Sequence, residues 1–184
     1  MNPLKLRRLL ISVHLYLAAF MAPAFLVVAI SGGLYLVGIE GKTTDTPIDL
    51  PAGTTLDLKG PDAADQVRGL LEAQGVDVSF EYLRGRGNSG TTRPTTRDYV
   101  SFEQGPEGLT ASLRKPDFPY ALMELHKGHG PRIYRTYQIL VAIGLFIVVV
   151  GGLIVGLLAN TYRRPTIIAT VAGTVLVTLL GFIL

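Results

Sequence analysis

Three stretches of the chain are apolar, the first and third free of charge and the second carrying only Arg135 near its start, and about 95 mostly polar residues separate the first from the second. Ile11 to Val37, ISVHLYLAAFMAPAFLVVAISGGLYLV, contains no Asp, Glu, Lys or Arg. At ~1.5 Å per residue this run reaches ~40 Å as a helix, enough to span a ~30 Å hydrocarbon core with tilt. A cleaved signal peptide has an apolar region of only about 7–15 residues, so the pattern predicts an uncleaved first span over 11–38. Pro23 removes a backbone donor and predicts a kink. Ser31, Gly32 and Gly33 are small enough for another helix to approach closely. The second run, from Tyr134 to Ala159, predicts a span over 132–159. Its Gly152 and Gly156 form a GxxxG pair, and Gly144 lies on much the same face. The third run, TIIATVAGTVLVTLLGFIL, fills 166–184 and just spans. Only NTYRRP, 160–165, separates runs two and three, so they predict an antiparallel hairpin.

The polar segment, 39–131, has its own pattern. Residues 39–60 are rich in Thr, Pro, Asp and Gly and read as a linker with at most a short strand. A helix follows Pro61, with Asp62 as N-cap and Asp65 in the first turn. Val67, Leu70 and Leu71 share one of its faces, and Gly75 stops it. In VDVSFEY, Val76, Val78, Phe80 and Tyr82 alternate with Asp77, Ser79 and Glu81, which predicts a half-buried strand. Further strands are predicted over 98–103 and 109–114, joined by the GPEG turn. The segment 84–97, RGRGNSGTTRPTTR, reads as a mobile hairpin loop. A short amphipathic helix is predicted over 117–127, with Phe118, Leu122 and Leu125 near one face and a stop at Gly128, Gly130 and Pro131. The fold class is therefore a membrane α-helical protein of three transmembrane helices with a small α+β domain outside the membrane. A core this small is marginal by itself.

Charge sets the expected topology. Lys5, Arg7 and Arg8 precede the first span, and Arg163 and Arg164 lie between the second and third. Three spans place both groups on one side, and the positive-inside rule makes that side the cytoplasm. The 1–10 tail and the 160–165 loop are then cytoplasmic and the 39–131 domain is exterior. Arg132 and Arg135 oppose this, but long loops translocate largely regardless of charge.

Composition removes several chemistries. The 184 residues include no Cys, so disulfides, thiolate metal sites, thiol nucleophiles and CxxCH haem attachment are excluded. The formal charge of +3 shows no aromatic–basic interleaving of a nucleic-acid surface. No nucleophile–base pair, nucleotide loop or HEXXH motif is present.

The candidate functional residues are few. The chain has three histidines, His14, His126 and His129, and two of them fall in ELHKGHGPRIYRTYQ, just before the second span. They are candidate haem or metal ligands, or polar residues at an interface, or a pH-sensitive contact. His14 lies near the opposite end of its span, about 30 Å in depth from the other two, and cannot share one haem iron with them inside one straight chain. Arg84, Arg86, Arg93 and Arg97 give the 84–97 loop four positive charges and no acid, a candidate contact for something anionic. Gly32, Gly33, Gly152 and Gly156 are the candidate helix-packing residues.

Taken together, the His-containing first helix (SVHLYLAAFMAPAFLVVAISGGLYL), the helix-plus-strands domain and LHKGHG before a Gly-rich second helix resemble the PepSY-associated transmembrane proteins of bacteria. The resemblance covers roughly residues 5–160 and rests on His14, Pro23, Gly32, Gly33, Leu125, His126 and Gly128. Ser31 stands where family members often have Thr. It implies a PepSY-like domain outside the membrane, a fold associated with protein–protein regulation, including protease inhibition. Larger relatives with more helices resemble haem-containing ferric or siderophore-iron reductases, and this chain is shorter. The expectation is a non-enzymatic accessory or regulatory subunit in the bacterial inner membrane, multi-pass with a cytoplasmic N-terminus. Its partners would be the lipid bilayer and another membrane subunit or a second copy, with no nucleic acid. No resident cofactor is expected. The alternative is a redox subunit in which the histidines help hold haem b or a metal.

Overall fold

A computed structural model describes residues 3–183; Met1, Asn2 and Leu184, which the predicted boundaries include, lie outside the described residues. In chain order the elements are α1 (Pro3–Leu36), β1 (Thr43–Ile48), α2 (Ala63–Ala73), β2 (Tyr82–Arg86), β3 (Ser89–Arg93), β4 (Tyr99–Gly105), β5 (Gly108–Pro116), α3 (Phe118–His126), α4 (Arg132–Leu158) and α5 (Arg163–Thr178). A π-helical turn, Leu179–Ile183, continues α5. The chain divides into two compact units, residues 1–24 with 139–184, and residues 25–138.

The first unit is helical. Three helices are long and apolar enough to cross a membrane: Arg8–Leu36, Arg132–Leu158 and Arg163–Ile183. Their outward side chains, such as Phe20, Phe146 and Ile168, are exposed, the surface an apolar solvent requires. Glycines make room where helices meet. Gly152 lies against the His14 ring, Gly144 against the Met21 thioether and Gly156 against Thr166. Gly152 and Gly156 thus serve different neighbours, α1 and α5, within one chain. Pro23 lies inside an α1 that continues to Leu36.

The second unit is built on an antiparallel sheet of five strands in the order β1-β5-β4-β3-β2. Side chains alternate across a sheet, so the register separates two faces. On one, Phe102 pairs with Ala111, and Val100 with Leu113. The amphipathic α2 sets Val67 and Leu71 into this face, and Leu58 and Leu109 complete the core. The other face carries Arg84, Thr91, Ser101 and Ser112 in adjacent strands. Tyr99, on the same face, stacks with Tyr120 of α3 at 6.5 Å between centroids, and their hydroxyls are 2.9 Å apart. Burial and that hydrogen bond push the Tyr120 phenol well above its ordinary value.

Several elements differ from the sequence expectation. The sheet has five strands rather than three. VDVSFEY forms no strand before Tyr82. Its alternation is real, because Val76, Val78 and Phe80 pack on the core. Among the described residues no neighbouring strand is there to supply a ladder. The 84–97 loop instead holds most of the β2–β3 hairpin, turned through Gly87-Asn88, with Gly87 at φ 61. A positive φ at the first central residue alone is the II′ geometry that suits a two-residue hairpin. The linker contributes β1 at a sheet edge. In α3, Leu122 is buried but Phe118 is 78% exposed, so the predicted apolar face is shorter than it looked. Gly33 meets no neighbour within 4 Å, and Gly32 faces the His126 ring rather than another long helix.

The predicted cap, Asp62, and an unpredicted one, Asp117, behave differently. The Asp117 carboxylate accepts from the Tyr120 N–H at 2.9 Å, whereas Asp62 makes no side-chain cap bond. Asp117→Ala is therefore expected to cost about 1 kcal/mol and Asp62→Ala only a few tenths. Chemical denaturation of the full chain in detergent, followed by exchange protection of each helix, checks the difference.

Candidate functional site: a polar junction at α3

The site begins with a local accident of chain direction. Gly128, at φ 76, ends α3 and turns the chain back, so that the His129 N–H donates to the Glu124 carbonyl at 2.9 Å. The His129 carbonyl in turn accepts from the Thr95 N–H at 3.1 Å. These two bonds bring the segment after β3 against the end of α3.

Glu124 lies at the centre, 5% exposed. Its Oε2 accepts from Thr95 Oγ1 at 2.5 Å, His129 Nδ1 at 2.7 Å and Arg93 Nη1 at 3.2 Å. Its Oε1 faces Lys127 Nζ at 3.4 Å. Arg93 Nη1 also donates to Thr95 Oγ1 at 2.7 Å, which leaves the hydroxyl proton for the carboxylate. Burial alone would raise the Glu124 carboxyl. The hydrogen bonds from Thr95 and His129, with the charges of His129 and Lys127, outweigh it and hold the group below its ordinary value. Glu124 is therefore an ionised acceptor, and His129 Nδ1 must carry a proton to meet it. The other nitrogen of His129, Nε2, is not used in this bond.

His126 is organised separately. Its Nδ1 lies 2.6 Å from Ser31 Oγ, and that hydroxyl is 2.7 Å from the Val27 carbonyl. One hydroxyl proton cannot serve both. All three groups are satisfied when Nδ1–H donates to Ser31 and Ser31 donates to Val27. Ser31 is fully buried, and Gly32 beside it leaves the ring room at ordinary van der Waals distance. A shallow pocket of about 190 Å³, lined by Gly32, Tyr35, Met123, His126 and Lys127, adjoins the ring.

The start of α4 is tied in as well. Gln138 Nε2 donates to the Leu125 carbonyl at 2.5 Å, and the Arg132 N–H to Glu81 Oε2 at 2.9 Å. The Arg132 guanidinium lies over the Tyr82 ring at 4.8 Å. The nine residues of α3 are thus bonded to the sheet, to the last turns of α1 and to the first turns of α4.

His126 and His129, predicted as a pair, fall into two arrangements with different partners. His126 ends the helix and His129 lies beyond its glycine stop, so the three-residue spacing does not put them on one helical face. His14 is elsewhere, packed against Gly152, and its Nδ1 has no hydrogen-bond partner among the described residues. Among the described residues no group of three or more His, Asp or Glu is placed to hold a metal ion. Of the four loop arginines, Arg84, Arg86 and Arg97 are exposed, but Arg93 turns inward to Glu124 and is not free for an outside anion. In the sequence Glu124 stood out only as the first residue of ELHKGHGPRIYRTYQ, Ser31 read only as a small packing residue, and Thr95 gave no sign of a role. An acid among apolar positions of a short amphipathic helix was the available signal.

No protein-family model, curated protein or solved structure matches this chain.

Proposed function

We propose that this chain is a membrane-anchored accessory or regulatory subunit of the bacterial envelope, whose PepSY-like domain binds a partner. The observation that carries the reading is the junction: α3 is bonded at once to the sheet and to the ends of two candidate spans. A load on the sheet face therefore acts directly on the helices that anchor it, which suits a regulatory or bracing subunit. The positive-inside pattern supports a periplasmic domain and a cytoplasmic N-terminus. The exposed Arg84, Arg86 and Arg97 are the basic groups available to an acidic partner or to lipid head groups.

The test is co-purification. The tagged full chain, extracted from its native membrane in mild detergent, is expected to carry a stoichiometric membrane protein. Ser31→Ala is expected to leave the chain folded and to weaken that association. A chain that stays alone under gentle extraction, with no partner trapped by cross-linking in the membrane, overturns the reading.

A second reading, a haem- or metal-linked redox subunit, is favoured by one observation, the unpartnered Nδ1 of His14. The residues of a single chain do not fit a haem held by two histidines. Seventeen residues of α1, about 25 Å of helix rise, separate His14 from Ser31, the partner of His126. Any such site would need a ligand from another subunit. A Soret band lost in His14→Ala favours this reading, and a colourless purified protein sinks it.

A further inference from the structure

We propose that the segment 76–80 pairs with the same segment of a second copy, antiparallel about a two-fold axis at Val78, joining two sheets edge to edge. The segment is bracketed by bonded residues. The Val76 N–H donates to the Leu71 carbonyl, and the Glu81 N–H to the Arg93 carbonyl of β3. Between them, the backbone N–H and C=O groups of Asp77, Val78, Ser79 and Phe80 have no protein partner among the described residues. Burial alternates along the segment, with Val76, Val78 and Phe80 half-buried and Asp77 and Ser79 exposed, as in an extended chain. It runs directly into β2, the edge strand of the sheet. It also forms one wall of an open groove of about 460 Å³, whose other wall is Arg68, Leu71 and Glu72 of α2.

An extended segment with free donors and acceptors at a sheet edge is a template for another strand. The side chains point to which strand. With the axis at Val78, Val76 faces Phe80, Asp77 faces Ser79 and Val78 faces itself. Apolar groups meet apolar groups, and each carboxylate meets a hydroxyl that can donate to it. Moving the axis one residue back sets Asp77 against Asp77. Moving it one residue forward sets Asp77 against Glu81. Like charges directly opposite are unfavourable, so only the Val78 register is self-complementary. The contact is isologous and closes at two copies. This proposal stands apart from the accessory-subunit reading: a strictly monomeric chain would sink it and leave that reading in place.

The experiment uses the full chain in detergent micelles, with mass measured by light scattering across a concentration series. Wild type is expected to be dimeric at the upper concentrations. Ser79 is exposed, so its substitution spares the core. Ser79→Asp places an acid opposite Asp77 twice per dimer and is expected to weaken dimerisation about tenfold. Ser79→Lys places a cation there and is expected to keep or tighten the dimer. The chain lacks cysteine, so Val78→Cys introduces the only thiol. Residues facing across an antiparallel pair have Cα atoms about 4.5–5.5 Å apart, within disulfide range, and mild oxidation is expected to cross-link that variant. A monomeric wild type overturns the proposal. So does a dimer equally tight in both Ser79 variants together with a Val78→Cys chain that does not cross-link.

Discussion

Glu124→Ala is expected to destabilise the sheet-bearing unit by about 3 kcal/mol, because it removes one member of a buried ion-pair network and leaves the others unpaired. Thr95, His129 and Arg93 all converge on one carboxylate oxygen, and both Glu124 and Arg93 are largely withdrawn from solvent. Lys127 is nearly half exposed and adds little. Glu124→Gln keeps the shape and one acceptor and should cost less, about 1–2 kcal/mol. Hydrogen exchange across β3, β4 and α3 in the full chain reads the effect where it arises. A uniform change across all helices, or none, counts against the junction. The same group predicts acid lability. The folded carboxyl lies below its ordinary value, so its stabilisation is complete above the unfolded value of about 4.3 and is lost as pH falls below it. Wild type should lose protection in β3 and α3 on acidification through that range. Glu124→Gln should be flatter there.

Hydropathy made the three long helices legible, since a charge-free run of that length has few other uses. The core face of the sheet was legible where alternation coincided with apolar residues, as in Val100 and Phe102. It failed where alternation and pairing part company. VDVSFEY alternates because it leans on the core, yet it has no neighbour, and a ladder is a property of two segments rather than one. The β2–β3 hairpin failed in the opposite way. RGR and SGTTR carry no apolar alternation, and only Thr91 and Thr92 favour a strand, so the sheet imposes their conformation. The Gly87-Asn88 dipeptide was the local sign of it. The junction was the least legible part. His126 meets Ser31 across 95 positions and Glu124 meets Thr95 across 29. No spacing rule links such residues, and the nearness of His126 to His129 in the chain suggested a pairing that Gly128 prevents.

Gly41→Ala should be as damaging as the loss of Glu124, and for a reason confined to backbone geometry. Gly41 leads into β1 with φ 76, a conformation that side chains adopt only with strain. Built there, a Cβ would collide with the backbone of Tyr120, in the first turn of α3, and would crowd the capping Asp117 carboxylate. Backbone held in a capped helix turn cannot yield as a flexible side chain could. The Asp117 N–H also donates to the Lys42 carbonyl at 2.9 Å, so the two segments cannot separate without losing that bond. Gly53 supplies the control, because it has the same φ of 76 but nothing within 4 Å of a built Cβ. Gly53→Ala should therefore show only the conformational penalty, about 1 kcal/mol. Gly41→Ala adds the overlap, another 1–3 kcal/mol or so by the cost of overpacking. Denaturant unfolding of the two variants beside wild type isolates the difference. If both lose the same stability, the approach of the β1 lead-in to α3 is looser than its geometry implies.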